Sequence, residues 1–195
     1  MYKDDWGNPR DDDDDRYLSR DEAMRIREQF RLLWEQHVYW TRMVILGIAF
    51  ASPDLEETTA RLLRNATDFG RIFRRFYGKA VGDEIERLIR NHLVIGGELV
   101  KAAKAGNTQA AAAIEKSWYE NGDEIVRFLR RINPRWTVRQ MRDMWYEHLA
   151  LTKREAVMTL NKNYGASIAT FNQIEKQALM MADEFSGGII DQFNI

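Results

Sequence analysis

Apolar side chains recur every three to four residues along most of the chain, the spacing that places them on one face of a helix. This pattern predicts helices over about residues 19–51, 54–77, 81–105, 108–132, 137–164 and 166–185. No stretch alternates apolar and polar residues between turn signals, as the strands of a hairpin would. We therefore predict an all-α protein: an antiparallel helical bundle with a four-helix-bundle core and additional shorter helices.

Residues that favour helix ends set these boundaries. Ser19 and Thr137 each begin a capping box, in which a serine or threonine is followed three residues later by glutamate or glutamine, so each predicts a helix start. Thr152 begins a third capping box, which predicts a kink inside the fifth helix. Residues 52–53, Ser-Pro, should end the first helix and begin the second, and residues 68–70 should break the second helix.

Two pairs of adjacent glycines fall inside or near predicted helices. Gly96-Gly97 lowers helix propensity within the third helix, so it predicts a close crossing with another helix at this point. Gly187-Gly188 predicts a loosening of the chain after the last helix.

The chain length of 195 residues and the hydrophobic fraction of 45% suit one domain with a continuous core. Residues 1–17 hold five consecutive aspartates together with glycine, asparagine and proline, a composition that buries too little apolar surface to offset the entropy of ordering. We predict a disordered acidic tail over residues 1–17 and a single helical bundle domain over residues 18–195. Calcium binding by the aspartates is the alternative, but consecutive residues do not reproduce the spaced ligands of a calcium loop.

Charge and cysteine content narrow the functional classes. Lysine plus arginine (29) nearly balances aspartate plus glutamate (30), so nothing attracts the chain generally to nucleic acid or to an anionic membrane. Cysteine is absent, which excludes disulfides and thiolate zinc sites. The longest apolar run, residues 43–51, is far shorter than the roughly 20 residues of a spanning helix, and no secretory signal pattern is present. We expect a cytoplasmic protein without a membrane segment or a nucleic-acid partner.

Three histidines are the sharpest candidates for chemistry. His37, His92 and His148 each lie on the apolar stripe, near the middle of a different predicted helix, and Asn121 holds the equivalent position on a fourth helix. If neighbouring helices are antiparallel and in register, their midpoints meet at one level, which predicts a polar layer of these four residues. Glu155 follows His148 on the same helical face and would join the layer if that helix continues without a break.

Two interpretations of this layer remain open. Three neutral imidazoles in a bundle core can bind zinc, nickel or iron, with Glu155 or a water molecule completing the coordination, which would make a metal- or small-molecule-binding bundle. Alternatively, the layer is a structural hydrogen-bonded network that fixes helix register in a self-associating, non-enzymatic binding or interaction protein. Because a core histidine is more often structural than a ligand, we expect the structural layer.

The patterns of common enzymes are missing. The chain has neither the Glu-x-x-His pairs of di-iron carboxylate bundles nor the His-Glu-x-x-His pattern of zinc proteases. It also lacks a Gly-rich phosphate loop, a dinucleotide fingerprint and a nucleophile elbow. These absences disfavour redox di-iron enzymes, nucleotide enzymes and serine hydrolases, and they favour a protein that is not an enzyme.

Two arginine-rich stretches are candidates for contact with an anionic partner, if both line one surface. Their arginines are Arg61, Arg64, Arg71, Arg74 and Arg75 in the first stretch and Arg127, Arg130, Arg131, Arg135, Arg139 and Arg142 in the second. Solvated helix faces explain them more simply. The aromatic residues on the helix faces suit core packing, an oligomer interface or an apolar ligand pocket.

Several long strings resemble an uncharacterised family of bacterial helical proteins found chiefly among Gram-positive spore-formers. These strings are WEQHVYWTRMVI, RLLRNATDFG with FYG, NHLVIGGELVKAAKAGNTQAA, WYENGDEIVRFLRRINPRW and EHLALTKREAV with MAD. The resemblance covers about residues 25–193 and implies no catalytic residue, because the family has no established activity. Some relatives carry an acetylglutamate kinase label, which the missing nucleotide-binding Gly-rich loop does not support.

Overall fold

The fold is built from long amphipathic helices joined by short loops. The computed structural model describes the backbone of residues 10–195, and the side chains from Arg20 onward. Its six helices are α1 (Arg10–Phe50), α2 (Leu55–Tyr77), α3 (Lys79–Lys104), α4 (Thr108–Ile132), α5 (Val138–Leu160) and α6 (Tyr164–Phe193). No strand occurs among residues 10–195, so the prediction of an all-α bundle is confirmed.

The helices close into a ring in chain order. Each helix packs against the next one, and α6 packs against α1. α1, α3 and α5 also contact one another, which places one face of each in the interior of the bundle. Within the described residues, no helix is long and apolar enough to cross a membrane.

Polar side chains fix three of the helix starts. Asn107, Thr137 and Asn163 precede α4, α5 and α6, and each side chain accepts a hydrogen bond from the backbone N–H three residues later, at 3.0, 3.3 and 3.3 Å. Such a bond satisfies one of the free donors at a helix N-terminus. The start predicted at Thr137 is therefore confirmed.

The first helix begins earlier than its capping pattern predicts. α1 already runs from Arg10, so Ser19 lies inside it rather than at its start. The acidic run of residues 11–15 falls within the first turns of this helix. Of the tail predicted over residues 1–17, residues 1–9 lie outside the described part of the chain.

α2 and α5 are uninterrupted, so the breaks predicted near residues 68–70 and at Thr152 are wrong. Gly70 serves packing rather than a turn: it faces Gly82 of α3 so closely that a Cβ added to Gly82 would lie 2.6 Å from the carbonyl oxygen of Gly70. The Thr152 hydroxyl donates to the carbonyl of His148 at 2.8 Å within α5. A capping pattern in the middle of a continuous apolar stripe is therefore no evidence of a helix end.

The glycine pairs also differ from expectation. Gly96 does not face another backbone; the ring of Trp118 lies 3.4 Å from where its Cβ would be, so the expected close helix crossing lies at Gly70 and Gly82 instead. α6 continues through the second pair to Phe193. Gly188 serves packing, since a Cβ at this position would collide with the indole of Trp136. The predicted loosening there is wrong.

An aromatic cluster fixes the level at which the central helices meet. Trp34 of α1 is fully buried. Its ring centroid lies 5.3 to 5.9 Å from those of Phe69, Trp145 and Phe185, which belong to α2, α5 and α6. His37 lies one helical turn further along α1, so the same packing that orders the core positions this histidine.

Candidate metal centre

The three histidines converge in the centre of the bundle. His37, His92 and His148 lie on α1, α3 and α5, the three helices that line the interior, and their residues are 1%, 2% and 2% exposed. Their ring centroids are 5.9, 5.5 and 5.8 Å apart. One ring nitrogen of each lies within 4.8 Å of those of the other two. The predicted convergence of mid-helix histidines is thus observed.

Burial keeps these imidazoles neutral. It lowers the pKa of His37 to about 4 and the pKa of His148 to about 3. Burial, reinforced by the neighbouring histidines, lowers the pKa of His92 well below its ordinary value. At neutral pH each ring therefore keeps one nitrogen lone pair, and no hydrogen bond joins any two of the three rings in the described structure.

An asparagine sets the orientation of His37. The Oδ1 atom of Asn65, on α2, lies 2.9 Å from Nδ1 of His37. The Nδ2 atom of Asn65 donates to the carbonyl oxygen of Leu33 at 3.0 Å, which fixes the amide so that its oxygen faces the ring. Nδ1 of His37 must then carry the proton and donate it, which leaves the lone pair on Nε2.

The other two histidines have amide neighbours of the same kind. Asn121 of α4 lies beside His92, and Gln177 of α6 lies beside His148; each amide raises the pKa of its imidazole. Asn121 also donates to the carbonyl of Leu88 at 3.3 Å, and Gln177 to that of Met144 at 2.9 Å. In both pairs the amide oxygen and Nδ1 of the ring are buried without a hydrogen-bond partner among the described residues.

These pairs reveal a period that residue types alone do not show. Each amide donates to the carbonyl of the residue four positions before its histidine. Successive histidines are 55 and 56 residues apart, and successive amides are 56 residues apart. The bundle therefore consists of three helical hairpins, each with a histidine on its first helix and an amide on its second. Asn121 was predicted in the polar layer, whereas Asn65 and Gln177 were missed.

Tryptophans form the remaining walls of the cluster. The ring of Trp118 stacks on His92 with centroids 5.3 Å apart, and its Nε1 donates to the His92 carbonyl at 3.0 Å. The rings of Trp34 and Trp145 lie 5.8 and 5.9 Å from that of His148, and both indole N–H groups are buried without a partner. Buried polar groups without partners are rare in proteins, so their concentration here marks this level as unusual.

Glu155 does not join the histidines. Its buried carboxylate pairs instead with Arg42 of α1, which also donates to Ser167 at 3.3 Å. Burial raises the pKa of Glu155 to about 7, against the opposing effect of Arg42. This geometry corrects the prediction that Glu155 completes a metal site. Two helical turns separate Glu155 from His148, and its carboxylate already forms an ion pair with Arg42.

A cavity of about 120 Å³ begins at the three imidazole rings. Its walls are mostly aliphatic and include Val44, Ile45, Leu93, Leu99, Val100 and Ala156. Its outer end reaches Ala103, which is exposed, and the ion pair of Lys153 with Glu115, whose atoms are 2.6 Å apart. The histidines therefore lie at the inner end of an apolar channel that leads toward the surface.

The arginine-rich stretches engage carboxylates of the same chain. Arg71, Arg74 and Arg75 of α2 each form at least one ion pair, as with Asp68 for Arg71 and Glu22 for Arg75. These pairs compensate part of the positive charge offered to an anionic partner. Contact with such a partner stays a prediction.

The fold and this site together define an all-α bundle with a buried three-histidine cluster in its core. No known family model, curated protein or solved structure matches the chain. Membership of the bacterial family that the sequence resembles therefore stays a prediction.

Proposed function

We propose that this protein is a metal-binding helical bundle in which His37, His92 and His148 hold one divalent transition-metal ion. The observation that carries this proposal is the convergence of three buried, neutral imidazoles that form no hydrogen bonds with one another. Neutral imidazole is the form of histidine that binds metals. Asn65 holds Nδ1 of His37 away from the centre, as the outer partners of metal-bound histidines do, and Asn121 and Gln177 lie beside the other two rings.

The distances suit a zinc-sized ion. Zinc–nitrogen bonds of about 2.0–2.1 Å in tetrahedral geometry place ligand nitrogens about 3.3 Å apart. The three nitrogens lie within 4.8 Å of one another, so small rotations about the side-chain bonds would bring them to that separation. The channel supplies the entry path that a buried site needs.

The ligand set favours zinc over iron. Three histidines with a fourth position open to water or substrate form a known zinc arrangement. Non-haem iron(II) more often uses two histidines and a carboxylate, and the nearby carboxylate, Glu155, is paired with Arg42. Nickel remains an alternative, because imidazole suits it as well.

The competing hypothesis is a structural polar layer in a non-enzymatic interaction protein. A structural network would join its members through hydrogen bonds, because buried polar groups without partners are destabilising. His37 meets this expectation through Asn65. Nδ1 of His92 and of His148 has no hydrogen-bond partner among the described residues, so the layer falls short of the complete network that a purely structural role would need.

The test is metal analysis of the purified protein, followed by dialysis against a chelator and titration with zinc, nickel, iron(II) and manganese. We expect about one zinc or nickel ion per chain and a rise in thermal stability when the metal returns. His92→Ala should abolish binding. Asn65→Ala, which leaves all three ligands in place, should weaken it by about 10- to 100-fold.

Ala150→Leu, on the exposed face of α5, is the control and should bind metal normally. Circular dichroism of every variant checks that the bundle is folded. Absence of stoichiometric metal, together with no stabilisation by any of the four ions, would reject the proposal and leave the structural layer.

A further inference from the structure

The cavity beside the histidines suggests what else the metal binds. We infer that the fourth coordination position takes the carboxylate of a short aliphatic acid, whose hydrocarbon tail lies in the channel. This inference rests on the proposed metal centre.

Charge balance calls for an anion. Three neutral imidazoles leave the two positive charges of a divalent ion uncompensated at a buried site, and burying uncompensated charge is strongly unfavourable. The nearby charged groups do not help, because Glu155 is paired with Arg42 and Glu115 with Lys153. An anionic fourth ligand would supply the missing compensation.

The channel walls select an anion with an apolar body. One turn beyond the three histidines lie Thr41, Gly96 and Thr152, and two turns beyond them lie Ile45, Val100 and Ala156, all lining the cavity. The two threonine hydroxyls each donate to a helix carbonyl, so their protons are not free to bind an anionic ligand. The next level is entirely aliphatic.

The size of the cavity limits the tail. Its volume of about 120 Å³ is slightly below the roughly 150 Å³ of an engineered protein cavity that binds benzene. This suits a tail of about three to five carbons. Ala156 lies about 12 Å along the helix axis from His148, and its side chain points back toward the histidines, so it borders the far part of such a tail.

The experiment uses the full chain loaded with cobalt(II), whose visible spectrum changes with the ligands bound to the metal. Acetate, butyrate and hexanoate are titrated separately at constant pH and ionic strength. Each methylene transferred into the cavity should strengthen binding about fourfold, so butyrate should bind about 15-fold more tightly than acetate, and hexanoate more tightly still.

Ala156→Leu fills part of the channel but leaves the three histidines that bind the metal unchanged. It should bind cobalt and acetate as the unmodified chain does but lose the gain from butyrate to hexanoate. The matched control, Ala150→Leu, places the same change on the exposed face of α5 and should keep that gain.

The outcomes separate the two proposals. Failure to bind cobalt at all would overturn the metal centre and this inference with it. A cobalt spectrum that is present but responds only to hydroxide or chloride would overturn the inference alone. The inference alone would also be overturned if the affinity for the carboxylic acids did not depend on the length of their hydrocarbon tails. A preference for hexanoate that survives in Ala156→Leu would overturn it as well.

Discussion

Replacing His148 with asparagine in the metal-free protein should cost less stability in acid than at neutral pH. Burial lowers the pKa of His148 to about 3, whereas a histidine in the unfolded chain titrates near 6.5. Between these two pKa values, the His148 imidazole is therefore protonated in the unfolded chain and neutral in the folded protein. The stability that comes from the neutral ring is complete above about pH 6.5 and is lost as the pH falls.

The size of the effect follows from the two pKa values. One pH unit below the unfolded pKa corresponds to about 1.4 kcal/mol, so lowering the pH from 7.5 to 5.0 removes about 2 kcal/mol of stability through His148. The variant has no such group and escapes this loss. The difference in unfolding free energy between the two proteins should therefore shrink by about 2 kcal/mol, measured by urea denaturation after chelator treatment at both pH values.

Glu155→Gln provides a comparison of opposite sign. Burial raises the pKa of Glu155 to about 7 in the folded state, so the folded protein holds a proton that the unfolded chain releases above about pH 4.5. Wild-type stability relative to this variant should then increase by about 2 kcal/mol over the same fall in pH. The reasoning is refuted if the His148→Asn difference stays constant or grows in acid, because the ring would then titrate as a solvated histidine does.

Two glycine substitutions test the close contacts that shape the bundle. Gly188→Ala would place a Cβ 2.1 Å from the buried Trp136 indole and should lower the unfolding free energy by about 3 kcal/mol, whereas Gly187→Ala meets nothing within 4 Å and should raise it by up to about 1 kcal/mol. Gly82→Ala would press on the Gly70 carbonyl and force α2 and α3 apart, at a similar cost of about 3 kcal/mol. Equal stabilities of the Gly187 and Gly188 variants, or an unaffected Gly82 variant, in thermal and urea unfolding would contradict the packing.

Periodicity predicted the helices well because apolar side chains must face a core, and six long helices leave a strong repeating pattern. Local signals at the helix ends were less dependable. Thr152 has the residues of a cap, yet tertiary packing carries α5 through it. Gly70 and Gly188 suggested a break and a loosening, but each makes room for a neighbour that is distant in sequence. A rule that considers only the flanking residues cannot identify a packing partner on another helix.

The convergence of the histidines could be predicted because each one interrupts an apolar stripe near the middle of a helix. Asn65 and Gln177 were missed although each lies on an apolar stripe, between Leu62 and Phe69 and between Ile174 and Met181. The stripe marks them as buried but does not pair them with the histidines. Their signal is long-range: an amide 28 or 29 residues after each histidine. Only the pairing of helices within each hairpin gives that spacing a meaning.

The number of buried polar groups bears on what the layer does. A single buried polar residue is enough to fix register in a helical coiled coil. This bundle instead buries three imidazoles and three amides at one level, although each such group is unfavourable unless it is well bonded. Their arrangement directs the amides to the outer side of the rings and leaves the inner nitrogens facing one another. A layer that served register alone would need fewer polar groups and would bond them to each other, so the excess supports a centre whose inner nitrogens bind an ion.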